Sequence, residues 1–343
     1  DVGNSGTTLY LTLGILAGQP FYSVLTGDAS IRRRPVQRVG VPLRRMGAAV
    51  WARAGNTLPP VTIMGGKLQP ISYTMETPSA QVKSAILLAG IFAEGVTTAA
   101  AAATTRDHTE RMLRAFGAEV SVEGPTASVR GPAHLRAQPI TVPGDISSAA
   151  FLLVAASVVP GSDVVIENVG VNPTRSGVVD ALRAMGGEIS LENPREAGGE
   201  PVADLRVRAA PLRGTVIAGE MVPRLIDEVP VLAVAAACAS GHTEFRDASA
   251  LRIKETDRVA TTAGMLRAFG VEVEELPDGM VVHGLGEGRA LRGAEIASHG
   301  DHRIAMAAAV AGLAATGETT ITGAECVAVS FPGFAERLAE LRR

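Results

Sequence analysis

The sequence predicts a two-domain α/β chain built of repeated units, each reading helix–strand–helix–strands. Three observations carry this. A Leu-Arg-x-x-Gly helix ending recurs at residues 43–47, 113–117, 182–186 and 266–270. Ala-rich stretches that open on a small or polar residue and close on Gly recur at 5–18, 79–95, 147–161, 227–241 and 301–317. The two kinds alternate with a period of roughly 70–80 residues, too long for a solenoid repeat.

Along the chain, Gly3-Asn4-Ser5-Gly6-Thr7-Thr8 opens the first Ala-rich helix, Ser being a good N-cap. A strand over 21–25 and the turn Thr26-Gly27-Asp28 lead to Arg32-Arg33-Arg34-Pro35. Pro35 fixes the next helix start and aims Arg34 inward. That helix ends on Gly47, a left-handed cap, ahead of a strand at 48–50. The second unit repeats the order. Thr77-Pro78-Ser79-Ala80-Gln81-Val82-Lys83 opens its Ala-rich helix, Arg106-Asp107-His108 takes the place of the Arg34 loop, and 118–120 follows Gly117 as a strand. Thr141-Val142-Pro143-Gly144-Asp145 is the expected crossing, giving domains 1–143 and 144–343. Beyond it lie three more units. They carry Asp145-Ile146-Ser147-Ser148 with strands at 163–168 and 187–189, then Ile226-Asp227-Glu228 with a strand at 271–273, then Gly300-Asp301-His302-Arg303 with 319–322, this last unit being cut short in 334–341. The Ala-rich helices read as buried on all sides. Two units before the crossing and three after imply an even set whose first member lies before Asp1.

Composition excludes several classes. A net charge of −3 with only 3% aromatics argues against nucleic-acid binding. The most apolar window, 85–103, is broken by Glu94 and Gly95, so no membrane span is expected. Cys238 and Cys326 have no metal-ligand spacing and form no disulfide framework, so both are expected to be reduced and buried, in a cytoplasmic protein.

The chemistry is concentrated in Ile253-Lys254-Glu255-Thr256-Asp257-Arg258. The chain holds three lysines against many arginines, so a lysine flanked by a carboxylate is a choice of a tunable point charge. The starts of the Ala-rich helices are polar, and helix N-termini hold anions. Lys83 and Arg303 lie near such starts, where a cation is disfavoured unless an anion reverses the sign. Cations also recur at the strand ends 32–34, 106 and 252–258. His108 and His302, each beside an Asp, read as structural hydrogen-bonders.

Together these residues resemble the 5-enolpyruvylshikimate-3-phosphate (EPSP) synthase family of enolpyruvyl transferases. The shared motifs run in order: G-N-S-G-T-T at 3–8, R-R-P at 33–35, S-A-Q at 79–81, T-R-D-H-T-E at 105–110 and G-D-I-S-S-A-A at 144–150. They continue with I-D-E-x-P at 226–230, R-I-K-E-T-D-R at 252–258, G-D-H-R-I-A-M at 300–306 and S-F-P-G-F at 330–334. The resemblance implies a two-domain inverse αβ-barrel of βαβαββ repeats, three per domain, with the first repeat absent here and substrates bound between the domains. It implies phosphoenolpyruvate contacts from Gly6, Thr7, Arg34, Gln81, Arg258 and Arg303. Shikimate-3-phosphate contacts fall to Ser79, Ala80, Gln81, Arg106, Asp227 and Lys254. Asp227, Lys254 and Glu255 take the catalytic roles. No metal or cofactor is implied, and the expected enzyme is a monomer inhibited by glyphosate. Three departures stand out: the absent first unit, Val329 where some members have Lys, and Leu9-Tyr10 where an Arg is common. Two rivals are UDP-N-acetylglucosamine enolpyruvyl transferase, which uses a cysteine in its first domain, and a non-catalytic anion-binding scaffold. Both cysteines here lie in the second half, and acids beside the arginines suit catalysis better than binding.

Overall fold

The computed structural model describes residues 1–286 and 288–341. In chain order, α1 (Gly6–Ala17), β1 (Tyr22–Leu25), α2 (Gln37–Arg45), β2 (Ala49–Ala52), a single turn α3 (Arg53–Asn56) and β3 (Leu58–Met64) form one repeat. The next is β4 (Ser72–Thr74), α4 (Ala80–Gly90), β5 (Gly95–Ala100), α5 (His108–Ala115), β6 (Val120–Glu123) and β7 (Thr126–Gly131). A third holds α6 (Ile146–Val158), β8 (Asp163–Gly170), α7 (Gly177–Ala184), β9 (Glu188–Ala197) and β10 (Glu200–Arg208). A fourth holds β11 (Val216–Ile217), α8 (Val229–Cys238), β12 (His242–Phe245), α9 (Arg258–Ala268), β13 (Glu272–Leu276) and β14 (Gly279–His283). The last runs through β15 (Leu291–Arg292), β16 (Glu295–Ala297), α10 (His302–Leu313), β17 (Ala315–Thr316), β18 (Thr320–Thr322) and α11 (Phe334–Glu340).

The second and fourth repeats show the complete βαβαββ pattern. Their sheets run β4-β5-β7-β6 and β11-β12-β14-β13, with a parallel first pair and antiparallel pairs after it. The first and third sheets, β1-β3-β2 and β8-β10-β9, are shorter by that opening strand. In the third, a single parallel bridge from Gly144 to Val169 marks its place.

The Leu-Arg-x-x-Gly signature has one physical job in all four copies. Gly47, Gly117, Gly186 and Gly270 take φ of 108°, 91°, 91° and 85°, a conformation that any side chain would strain. The arginine of each copy then folds forward onto the new strand. Arg44 donates to Val50 O (3.1 Å), Arg114 to Val120 O (3.1 Å), Arg183 to Ile189 O (3.0 and 2.8 Å) and Arg267 to Val273 O (2.8 Å).

Several boundaries differ from expectation. Helix α4 stops at Gly90 rather than 95: past Ile91 the amides of Phe92 and Ala93 turn back to Ala89 O and Gly90 O, a tighter i→i+3 exit toward β5. Asp227 and Glu228 precede α8, whose first turn contains Pro230. Lys254 and Glu255 lie in the connection between a 3-10 turn and α9, with Asp257 capping the helix. Helix α8 is buried from Val229 to Ala237, but α1 exposes Thr7, Thr8 and Ile15, so not every Ala-rich helix is enclosed.

The chain divides into two compact units, Asp1–Thr141 with Gly198–Glu200, and Val142–Ala197 with Pro201–Arg343. The division falls two residues before the expected 143/144 boundary. The β9–β10 hairpin tip belongs with the first unit, where Glu200 Oε1 meets His108 Nδ1 at 2.8 Å. In the first unit the core gathers Leu9, Leu13, Leu43, Ile63 and Ile86, with a smaller cluster of Leu87, Leu113 and Val129. The second unit has one continuous core from Ile146 to Leu338. Among the described residues no helix is long and apolar enough to cross a membrane.

Helices α1 and α4 pack at Gly14, where a Cβ would lie 2.4 Å from Ala85 O and 2.8 Å from its Cα. Both neighbours are backbone and cannot yield cheaply. Gly14→Ala is therefore expected to lower stability by about 1–3 kcal/mol or more. Gly264→Ala, in α9 with nothing within 4 Å of its Cβ position, is expected to raise stability by about 0.4–1 kcal/mol. Urea unfolding of the two variants checks both signs, and equal effects would remove close packing as the cause.

Candidate active site

In the first unit the starts of α1 and α4 are tied side by side. Ser5 caps α1 through Thr8 N (3.1 Å) and Ser79 caps α4 through Val82 N (3.4 Å). Gln81 Nε2 donates to Thr7 Oγ1 at 2.9 Å, and Gln81 Oε1 accepts from Arg38 at 3.5 Å. Two helix N-termini thus present their unpaired N–H groups together, which suits an anion. Arg34 joins them: a Cβ on Gly6 would fall 2.9 Å from Arg34 Nη1. Its aim has two supports. Asp28 accepts from Ile31 N (2.8 Å) and from Asn4, and these bonds hold its carboxyl below the ordinary range. Tyr10 donates to Pro35 O at 2.9 Å from a buried ring. The Tyr that departs from the family pattern therefore braces the Arg34 loop. The structure brings Gly6, Thr7, Arg34, Ser79, Ala80 and Gln81 together. Arg106 lies just before α5, half-buried.

The second unit gathers its charged residues around Asp227. Asp227 Oδ1 lies 3.1 Å from Lys254 Nζ and 3.6 Å from Arg258 Nη1, and Oδ2 lies 3.8 Å from Arg175. Arg258 is 1% exposed. Its Nε and Nη2 reach Asp301 at 2.8 and 3.1 Å, and Nη2 also meets Glu255 at 2.7 Å. Burial opposes the charge on Asp301, but the Arg258 hydrogen bonds and charge hold its carboxyl below the usual value. Arg303 donates to Asp227 O at 2.9 Å and lies 3.7 Å from Glu228, which is fully buried. Burial pushes the Glu228 carboxyl up against the pull of Arg175 and Arg303. Asp227, Lys254, Glu255, Arg258 and Arg303 are thus assembled in one unit. Such a set can bind an anion, accept a proton at Asp227 and give one from Glu255.

Three readings need correction. Lys83 near a helix start does not signal an anion, because its ammonium sits 2.5 Å from buried Glu110 of α5. Arg252 is structural, bonding Pro277 O, Leu276 O and Asp257. Arg175, Ser147 and Glu228 were not singled out as site residues. The signal for Arg175 was present: it lies between β8 and α7, the place held by Arg34 and Arg106 in the earlier repeats. Glu228 gave only its position next to Asp227. Among the described residues no cluster of His, Cys, Asp or Glu is arranged to hold a metal.

Comparison with known proteins follows the same lines. A family model described as EPSP synthase (3-phosphoshikimate 1-carboxyvinyltransferase) matches residues 1–338. A 3-phosphoshikimate 1-carboxyvinyltransferase of Pelotomaculum thermopropionicum is 59% identical over 342 residues, covering 99% of this chain and 78% of that protein. One from Gloeobacter violaceus is 58% identical, covering 100% and 79%. An EPSP synthase structure from Acinetobacter baumannii superposes with a TM-score of 0.91 at 48% identity, covering 99% and 78%. The enolpyruvyl transferase NikO of Streptomyces tendae, at 21% identity and a TM-score of 0.77, shares the fold. The expectation of an absent first repeat is not borne out by these matches.

Removing one partner of the buried Arg258–Asp301 pair strands the other. Asp301→Asn is expected to cost about 3–5 kcal/mol at neutral pH. The contribution of Asp301 is present above its ordinary 3.8 and fades as pH falls through its lower folded value. Urea unfolding across the acid range should show a lower midpoint and a flatter acid limb for the variant. An unchanged midpoint at pH 7 would refute the pairing energy.

Proposed function

The chain belongs to the EPSP synthase (3-phosphoshikimate 1-carboxyvinyltransferase) family, and we propose how its residues divide the reaction of that family. The activity transfers the enolpyruvyl group of phosphoenolpyruvate to the 5-hydroxyl of shikimate-3-phosphate and releases phosphate. Phosphoenolpyruvate is assigned to Arg34, Arg258 and Arg303, with Gly6, Thr7 and Gln81. Shikimate-3-phosphate is assigned to Ser79, Ala80, Gln81 and Arg106, with Asp227 and Lys254 on its hydroxyl. Asp227 takes the hydroxyl proton as the oxygen adds to the substituted enol carbon. Glu255 protonates the methylene carbon, then takes a proton back as the C–O bond to phosphate breaks. Lys254 stabilises charge on the reacting oxygen. No cofactor enters these steps, and the enzyme is read as a cytoplasmic monomer.

The observation that supports this reading is the placement of Asp227 and Glu255 on one buried arginine. Arg258 touches both carboxylates, and Lys254 touches Asp227. An anion drawn to that arginine would therefore arrive between an acid and a base. A pure anion-binding scaffold gains nothing from those carboxylates. A cysteine-dependent enolpyruvyl transferase is disfavoured as well. Cys238 and Cys326 both fall in the second unit, and burial pushes the Cys238 thiol up to about 12, where it is a poor nucleophile.

Phosphate release from phosphoenolpyruvate with shikimate-3-phosphate tests the reading directly. Glu255→Gln should lower kcat by about 10²–10⁴-fold with substrate binding within a few-fold, whereas Arg303→Ala should weaken phosphoenolpyruvate use by about 100-fold. If Glu255→Gln keeps most turnover, Glu255 is only the ion-pair partner of Arg258.

Gly6→Ala should act through Arg34, because its methyl would push on that guanidinium. It should raise KM for phosphoenolpyruvate and relieve glyphosate inhibition together. An inhibitor titration and KM that ignore the substitution would remove Gly6 and Arg34 from the pocket.

A further inference from the structure

Beneath Asp227 lies a closed ring of polar contacts, three members of which, Glu228, Ser147 and Arg175, the reaction scheme leaves unused. Glu228 Oε1 accepts from the Ser147 hydroxyl. Ser147 Oγ in turn accepts from Arg175 Nη2 at 2.5 Å. The Arg175 guanidinium lies 3.8 Å from Asp227 Oδ2 and 3.5 Å from Asp145, the residue that caps α6. Arg303 Nη1 closes the ring, 3.7 Å from Glu228 Oε1 and 2.9 Å from the main-chain oxygen of Asp227. Four segments of the second unit thus meet: the start of α6, the β8–α7 connection, the residues before α8 and the start of α10.

Resting on the function proposed above, we infer that Glu228 is a positioning residue: through Ser147 and Arg175 it sets the Asp227 carboxylate, and directly it sets the Arg303 guanidinium. Two features favour this over a filler role. Glu228 is fully buried, and its Oε2 has no hydrogen-bond partner among the described residues, which is costly for a carboxylate kept only to fill space. Departures of that kind from good packing chemistry belong at functional sites. The geometry is also directional. Lys254 hydrogen-bonds one oxygen of Asp227 at 3.1 Å, and the Arg175 guanidinium faces the other across 3.8 Å, so the carboxylate sits between two cations. One nitrogen of Arg303 is held between the carbonyl of residue 227 and the side chain of residue 228, so the anion contact and the base share a frame.

The test compares the full chain with Glu228→Gln, which keeps the shape and an acceptor for Ser147 but removes the charge facing Arg303. Calorimetric titration with phosphoenolpyruvate should show binding weakened about 10-fold or more, the scale of one charged contact. Steady-state phosphate release should show KM for phosphoenolpyruvate rising by more than kcat falls. Ser147→Ala, which cuts the link to Arg175, should instead lower kcat by more than it raises KM. Thermal unfolding should stay close to the parent for both. If Glu228→Gln does not fold, the kcat-dominated loss expected of Ser147→Ala tests the inference by itself, and a Ser147→Ala enzyme with the parent's kcat and KM would overturn it. Variants that shift only the unfolding midpoint, with binding, KM and kcat of the parent, would overturn the inference. A parent that binds phosphoenolpyruvate without turnover would refute the proposed reaction while leaving the ring testable by binding. A parent that does not bind it would overturn both.

Discussion

The arginine that folds from the end of α2, α5, α7 and α9 onto a carbonyl six residues later constrains everything built above it. A helix that must hand over to an antiparallel strand within three or four residues needs a left-handed residue and a fixed exit direction. Glycine supplies the first and the arginine clasp the second. Because the clasp is the same each time, each strand leaves its helix in the same way. The connections on the opposite side of each repeat are then free to differ, and those connections carry Arg34, Arg106, Arg175 and Lys254.

The Arg258–Asp301 fork plays a comparable part for the chemistry of the second unit. Neither group is exposed, and each supplies the other's counter-charge. A guanidinium fixed on its Nε–Nη2 edge by Asp301 shares Nη2 with Glu255 and turns its remaining nitrogen, Nη1, toward Asp227. The fork is thus a rigid base beside which the Asp227 and Glu255 carboxylates are spaced. Lysine in place of Arg258 would have no planar edge with which to do this.

Much of this was legible in the chain. The repeats were visible because Leu, Arg and Gly each answer a local demand at a fixed spacing, and local demands leave sequence marks. The trio to which we assign the catalysis, Asp227, Lys254 and Glu255, stood out through the rarity of lysine and the family motifs. What escaped was long-range. Lys83 was read as facing an anion, whereas its partner Glu110 arrives from a helix 27 residues later. Ser147, Glu228 and Arg175 each sit in a place the repeat marks, but nothing in their own windows shows that they touch, and only the packing of the second unit brings them into contact.

Arg303 is anchored on the main-chain oxygen of residue 227 rather than on its side chain. A peptide oxygen is present whatever amino acid the codon specifies. The arginine to which we assign the anion is therefore insulated from the identity of the side chain to which we assign the proton. Sequence drift or engineering at position 227 can change that side chain while this anchor on the arginine stays in place. Two functions that neighbour each other in space are in this way separable in inheritance.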